Sequence, residues 1–244
     1  MNKKAEARSA GSRESVPQRI LDVAEQLAQT RGFNGFSYAD VAEELLVTKA
    51  SLHYHFPSKA DLGRALIERY HVVFGQALDA IDRQSRGSME KLRRYVGLYD
   101  SVMRKNRMCL CGMLAAEFAT LPAPMQDALR RFFDANEVWL AKVFEEGRRS
   151  GELTFRGPAK QRARIVLGTL EGAMLVARTY DDGRRFMSAA KQVLADLTTE
   201  RVAPGADVWV RRRQRNRYRD GVLDIRRAAW PEPAHPVGQL EMAA

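Results

Sequence analysis

The sequence predicts an all-α protein with a small three-helix unit at its N-terminus and a larger helical bundle behind it. Two observations carry this. From about residue 16 to residue 200 apolar side chains recur three and four positions apart, the period of a helix buried along one face, and no segment alternates as a strand would. The breaks between these runs fall at capping residues, glycines and prolines, where helices start and stop.

Residues 1–14 are small and polar and read as a flexible basic arm in which Lys3, Lys4, Arg8 and Arg13 could reach a neighbouring groove. The first helix carries Ile20, Val23, Ala24, Leu27 and Ala28 on one face, with Gly32 just past its end. Ser37, three positions before Asp40, is placed to cap a short second helix whose Val41, Ala42 and Leu45 form its core face, with Val47 beyond the turn. Thr48 caps a third helix. There Leu52 and Phe56, four apart, point inward, Ala50, Ser51 and Tyr54 point away, and Lys49, His53 and His55 lie on the flanks. Pro57 ends it, because proline lacks an N–H and disfavours helical geometry in the residue before it.

From Ser58 a long helix runs to about Gln84, with Leu62, Leu66, Tyr70, Val73, Ala77 and Ile81 at helical spacing. Further helices fill residues 88–200, broken at Asn106, at Leu121-Pro122-Ala123-Pro124, at Gly151 and at Gly157-Pro158. Leu167, Leu170, Met174 and Ala177 mark one of them, and Phe186, Ala190, Val193, Leu194 and Leu197 the last. The expected organisation is therefore an arm at 1–14, a helix-turn-helix head at 15–76, a bundle at 77–200 and a basic tail at 201–244. The tail holds nine arginines against three aspartates and two glutamates, and reads as disordered or as an auxiliary, sequence-independent nucleic-acid contact.

A formal net charge of +10 over 244 residues favours an anionic partner, although composition alone also fits a ribosomal or membrane-surface protein. No apolar leader opens the chain and no run of 18 apolar residues occurs, so a cytoplasmic location without membrane contact is expected. Two cysteines argue against a disulfide scaffold. No glycine-rich phosphate loop, internal repeat, metal motif or nucleophile–base–orienter set is recognisable, so neither a cofactor nor an enzymatic activity is expected.

The chemistry of residues 36–59 suits DNA. Lys49 and Lys59 supply positive charge for phosphates, the contacts that dominate affinity and make it salt-dependent. A lysine in the first turn of a helix gains nothing from the helix dipole, so a phosphate would explain Lys59. Tyr38, Tyr54, His53 and His55 can donate to phosphate oxygens, which sets register. Thr48, Lys49, Ser51 and the methyl of Ala50 are candidates for base edges. His53 and His55, two apart on a helix, diverge and have no third ligand nearby, which argues against a metal site.

From about Val16 to Gly75, through ILDVAEQLAQTRGF and FSYADVAEELLVTKASLHYHFPSKADL, the chain resembles the tetracycline-repressor (TetR/AcrR) type of bacterial transcriptional regulator. The resemblance implies that Tyr38, Thr48, Lys49, Ser51, His53, Tyr54, His55 and Lys59 touch DNA. It also implies that the bundle binds a small-molecule inducer and that its last two helices pair two copies into a homodimer on a palindromic operator. Two positions depart from the family pattern. Leu46 replaces the usual glycine of the turn, and His53 the usual first aromatic of the recognition-helix run.

Two features of the bundle suggest sensing. Cys109, in Arg107-Met108-Cys109-Leu110-Cys111-Gly112, opens a helix close to Arg104, Lys105 and Arg107, which together would lower its thiol pKa. By resemblance it belongs with thiol-based electrophile sensors, whereas on composition both cysteines also read as small buried hydrophobes. Tyr95, Tyr99, Met103, Met113, Phe118, Phe132, Phe133, Trp139, Phe144, Met174 and Tyr180 either line an apolar ligand pocket or simply form the core, with Glu117, Glu171 and Arg178 as polar anchors if they face inward. The expected function is transcriptional regulation, as a repressor released by an inducer. A non-specific, nucleoid-type architectural DNA binder is the alternative.

Overall fold

Capping interactions set the boundaries of the head in the computed structural model, which describes residues 15–199. Helix α1 (Val16–Arg31) ends at Gly32, whose φ of +83° turns the chain out of the helix. Ser37 and Asp40 close a reciprocal capping box that starts α2 (Tyr38–Leu45), and Thr48 caps α3 (Lys49–His55) by accepting from the Ser51 N–H. Between them Leu46 takes the left-handed conformation, φ +55° and ψ +45°, that the usual glycine would supply. Its side chain is 92% exposed, so the turn is held by its neighbours and not by leucine packing.

A second capping box, Ser58 with Asp61, starts α4 (Lys59–Gln84). Its buried stripe is Leu62, Leu66, Ile67, Tyr70, Phe74, Leu78 and Ile81. The spacing had favoured Val73 and Ala77. In the structure Val73 faces solvent, and the larger Phe74 and Leu78, one position later, take the core. Because α4 runs unbroken across residues 76 and 77, head and bundle share a helix instead of meeting at a linker.

The bundle follows as α5 (Ser88–Met103), α6 (Leu110–Ala116), a 3₁₀ turn (Phe118–Thr120), α7 (Ala123–Ser150), α8 (Ala159–Thr179) and α9 (Gly183–Thr199). Asn106 and Gly151 adopt positive φ at the expected breaks. Helix α7 packs against α4, α5 and α8, α9 lies against α5 and α8, and the short α6 sits against α1, α4 and α7. The centre is aromatic: Phe132 meets Phe74 edge-on at 5.3 Å, and Trp139 stacks on Tyr95 at 5.5 Å. Such pairs add about 1 kcal/mol each beyond the area they bury. Tyr180 is a correction to the candidate core. It is 61% exposed at the end of α8 and lies under the Arg185 guanidinium. Among the described residues there is no strand, and no helix is long and apolar enough to cross a membrane. The arm at 1–14 and the tail at 201–244 lie outside the described residues.

Candidate nucleic-acid interface

Helix α3 turns its buried residue, Leu52, toward the head core and leaves a polar face outward. Thr48, Lys49, Ala50, His53 and Tyr54 are exposed, Tyr54 at 85%, while Ser51 and His55 are half-buried beside them. Tyr54 packs edge-on against His55 at 5.0 Å, and its hydroxyl is free to donate outward. His53 lies on the Tyr38 ring at 4.7 Å, with Nδ1 3.1 Å from the Pro57 carbonyl. Its Nδ1–H tautomer donates there and leaves Nε2 facing out.

Two of the expected contact residues have partners within the fold. Tyr38 is buried, and its hydroxyl donates to the Phe56 carbonyl at 2.7 Å. That hydrogen is already used, so Tyr38 ties α2 to the end of α3 and has no donor left for a phosphate. Burial, with the Asp61 carboxylate nearby, pushes its pKa up to about 12. Lys59 likewise has internal partners. Its ammonium donates to the Phe33 and Phe36 carbonyls and lies 4.5 Å from both ring centroids, a cation–π arrangement. Burial draws its pKa down, against the opposing pull of Glu117 and Asp40. A staple across the α1–α2 loop explains this lysine without a phosphate.

The same loop is gripped from the bundle. Glu117, just after α6, accepts from the Phe33 N–H at 2.6 Å and from the Asn34 N–H, while Asn34 Nδ2 donates to Thr120 Oγ1 at 2.8 Å. The last carbonyls of α1, which have no partner within their own helix, are capped from outside. Met108 N and Arg178 donate to Gln29 O, Arg178 also donates to Thr30 O, and Arg107 donates to the Gln26 side chain at 2.8 Å. Glu117, half-buried, and Arg178, on the surface, therefore both anchor the head. Their partners lie 83 to 149 residues away, a pairing no local pattern could have shown.

Cys109 caps the N-terminus of α6 but is only 2% exposed. The expected lowering of its pKa is reversed. Burial and the neighbouring Glu171 carboxylate push the thiol well up, and Tyr70 donates to its Sγ at 3.7 Å. Arg104 is turned to solvent and held by Asp100, and Arg107 reaches toward α1, so the nearby charges do not face the sulfur. Cys111 is buried as well. Glu171, on α8, has both carboxylate oxygens out of solvent and without a hydrogen-bond partner, although the outer side of the residue reaches the surface. Burial pushes its pKa up to about 7, with Cys109 and Tyr99 beside it holding it down. It lies over Gly112 of α6, where a Cβ would collide with its Oε2.

A capped helix pair with a polar outward face, fused through one long helix to a bundle, defines a helix-turn-helix DNA-binding protein. Residues 20–66 match the family described as bacterial regulatory proteins, tetR family, and residues 88–193 match the tetracyclin repressor-like C-terminal domain. A transcriptional regulator of the TetR family from Agrobacterium tumefaciens superposes with a TM-score of 0.73 at 32% identity, over 75% of this chain and 97% of that one. The transcriptional regulator AcuR of Cereibacter sphaeroides is 29% identical over 152 residues, 61% of this chain and 69% of AcuR. The nucleoid occlusion factor SlmA of Vibrio vulnificus is 23% identical over 170 residues, 70% of this chain and 85% of SlmA. The chain belongs to the TetR family of transcriptional regulators.

Proposed function

We propose that this regulator is a homodimeric repressor that docks α3 in the major groove of a palindromic operator and is released when a small molecule enters the bundle. The observation that carries the reading is the α3 face, on which Thr48, Lys49, Ala50, His53 and Tyr54 are exposed with the half-buried Ser51 and His55 beside them. Phosphate donors and base-edge candidates share that surface. Dimerisation is supported by α8, where Ile165, Val176 and Leu175 are exposed at helical spacing. Gly168 and Gly172 between them have open space above. A second copy laid on this face would bury apolar surface and present two α3 helices to one side of DNA. On this reading the head comprises 15–76, the bundle 77–200.

Likeness to a nucleoid occlusion factor favours the second reading, an architectural DNA binder. Titrating the full chain at fixed salt against DNA from upstream of its own gene and against a scrambled fragment tests both. A regulator discriminates by about 10³ or more. Equal affinity for the two fragments, with a steep salt dependence, would overturn the operator reading in favour of the architectural one.

A further inference from the structure

His53 stands where the family carries an aromatic side chain, and its surroundings fix what the imidazole ring can offer. Nδ1 lies 3.1 Å from the Pro57 carbonyl. A carbonyl oxygen only accepts, so the proton of the neutral ring sits on Nδ1 and the outward Nε2 carries a lone pair. The ring is held in this pose by Tyr38, 4.7 Å away between centroids, which is itself buried and tied to the Phe56 carbonyl. The neutral side chain therefore points an acceptor out of α3. A phosphate oxygen is an acceptor too, so the phosphate contact expected of this residue is closed to the neutral ring.

We infer that His53 grips a DNA phosphate only as an imidazolium, so that each α3 takes up a proton as it docks. The added proton comes from solvent and can go only to Nε2, since Nδ1 already carries one. It turns the outward lone pair into a charged donor while the Pro57 contact is kept, and the ring does not have to move. Imidazole is the side chain that changes charge between pH 5 and 8, and a phosphate beside it favours the charged form.

The acids around the ring are engaged elsewhere. On α2, Asp40 accepts from Ser37, Glu43 and Glu44 stand at the far end of the helix from Tyr38, and the Tyr38 hydroxyl stays neutral, its pKa pushed up to about 12 by burial. At the start of α4, Asp61 accepts from Ser58. On α3 the charged or titratable neighbours are Lys49, one turn earlier, Tyr54 and His55. A DNA phosphate is thus the counter-ion that the imidazolium meets. The inference rests on the docking of α3 and adds its regulation: affinity for DNA is highest where the imidazolium is populated and falls as pH rises.

The test is anisotropy titration of the full-length protein with the fragment from upstream of its own gene and with a scrambled fragment, at fixed ionic strength and at pH 6, 7 and 8. Glu171 in the bundle also titrates near neutrality, so the comparison with a variant carries the result. His53→Phe retains an aromatic ring against Tyr38 and cannot take the proton. Between pH 6 and pH 8 wild-type affinity should fall by about tenfold more than that of His53→Phe, the equivalent of one pH unit of preference for the charged form. His55→Phe should keep the wild-type profile. Calorimetric titration of the wild-type protein at pH 7, in two buffers of different ionisation enthalpy, reads the proton directly without a variant that could misfold; net uptake on binding is expected. Zero uptake, or the same pH dependence in wild type and His53→Phe, would overturn the inference and leave the docking of α3 standing. Failure to bind either fragment at any pH would overturn the docking and the inference together.

Discussion

Replacing Glu171 by glutamine removes a charge the fold does not accommodate, and the effect on stability can be worked out. The carboxyl has its pKa raised from 4.5 to about 7 by burial, so the folded chain holds this proton more tightly than the unfolded chain does. For an acid shifted in that direction the stabilisation is fully present below the unfolded pKa and is lost as pH rises through the folded one. A shift of that size corresponds to on the order of 3 kcal/mol lost between roughly pH 4.5 and pH 7. Glutamine keeps the volume and cannot ionise. The difference in unfolding free energy between wild type and Glu171→Gln should therefore fall by about 3 kcal/mol across that window and stay level above it, leaving the variant the more stable protein at pH 8. Urea unfolding at fixed protein concentration, in half-unit steps of pH, measures this. Every other ionisable group is common to both proteins and cancels in the difference. A difference that does not change with pH, or that rises with it, would refute the assignment of an unpartnered buried carboxyl.

Three further outcomes are expected. Tyr54→Ala should weaken binding to a DNA fragment by about tenfold, one hydrogen bond's worth, while leaving stability within ~0.5 kcal/mol, because the side chain is 85% exposed; anisotropy titration and a thermal melt check the two halves. Leu46→Gly should stabilise the head by roughly 0.5–1 kcal/mol, the cost of holding leucine left-handed less the greater freedom of an unfolded glycine, as read from its melting midpoint. Glu117→Ala should speed amide hydrogen exchange at Phe33 and Asn34, whose N–H groups lose their acceptor, and should cost about 1 kcal/mol in a part-exposed setting; unchanged exchange would mean that the clasp does not hold the loop.

What the sequence made legible here was local. Ser37, Thr48 and Ser58 each act within three residues of themselves, so their side-chain chemistry sufficed to place three helix starts. The left-handed turn at Leu46 was signalled by the family resemblance, in which a glycine usually stands at that position. The internal partners of Tyr38 and Lys59 were not legible for the opposite reason: the Phe56, Phe33 and Phe36 carbonyls are brought close by the tertiary fold. Periodicity placed α4 but not its phase near Val73. Neighbouring apolar residues at positions 72–74 fit a helical stripe almost equally well, and packing against α7 chose the largest. Cys109 was read from nearby charges in sequence. Side chains two and five positions away point around the loop, and burial sets the thiol instead.

One line of polar contacts runs from the bundle to the head. Glu171 touches α6 at Gly112, α6 passes to Glu117, and Glu117 holds the Phe33 and Asn34 amides of the loop that Lys59 staples from the other side. Arg178, two turns beyond Glu171 on α8, grips the last carbonyls of α1. Both grips on the head thus come from elements that meet at Glu171. Both grips end at or beside the α1–α2 loop, which joins α1 to the helix pair. Contiguity alone does not make a switch, because a ligand shifts an equilibrium only by its differential affinity for the two states. A compound with equal affinity for the DNA-bound and the released states would leave the DNA-binding face where it is, however tightly it bound.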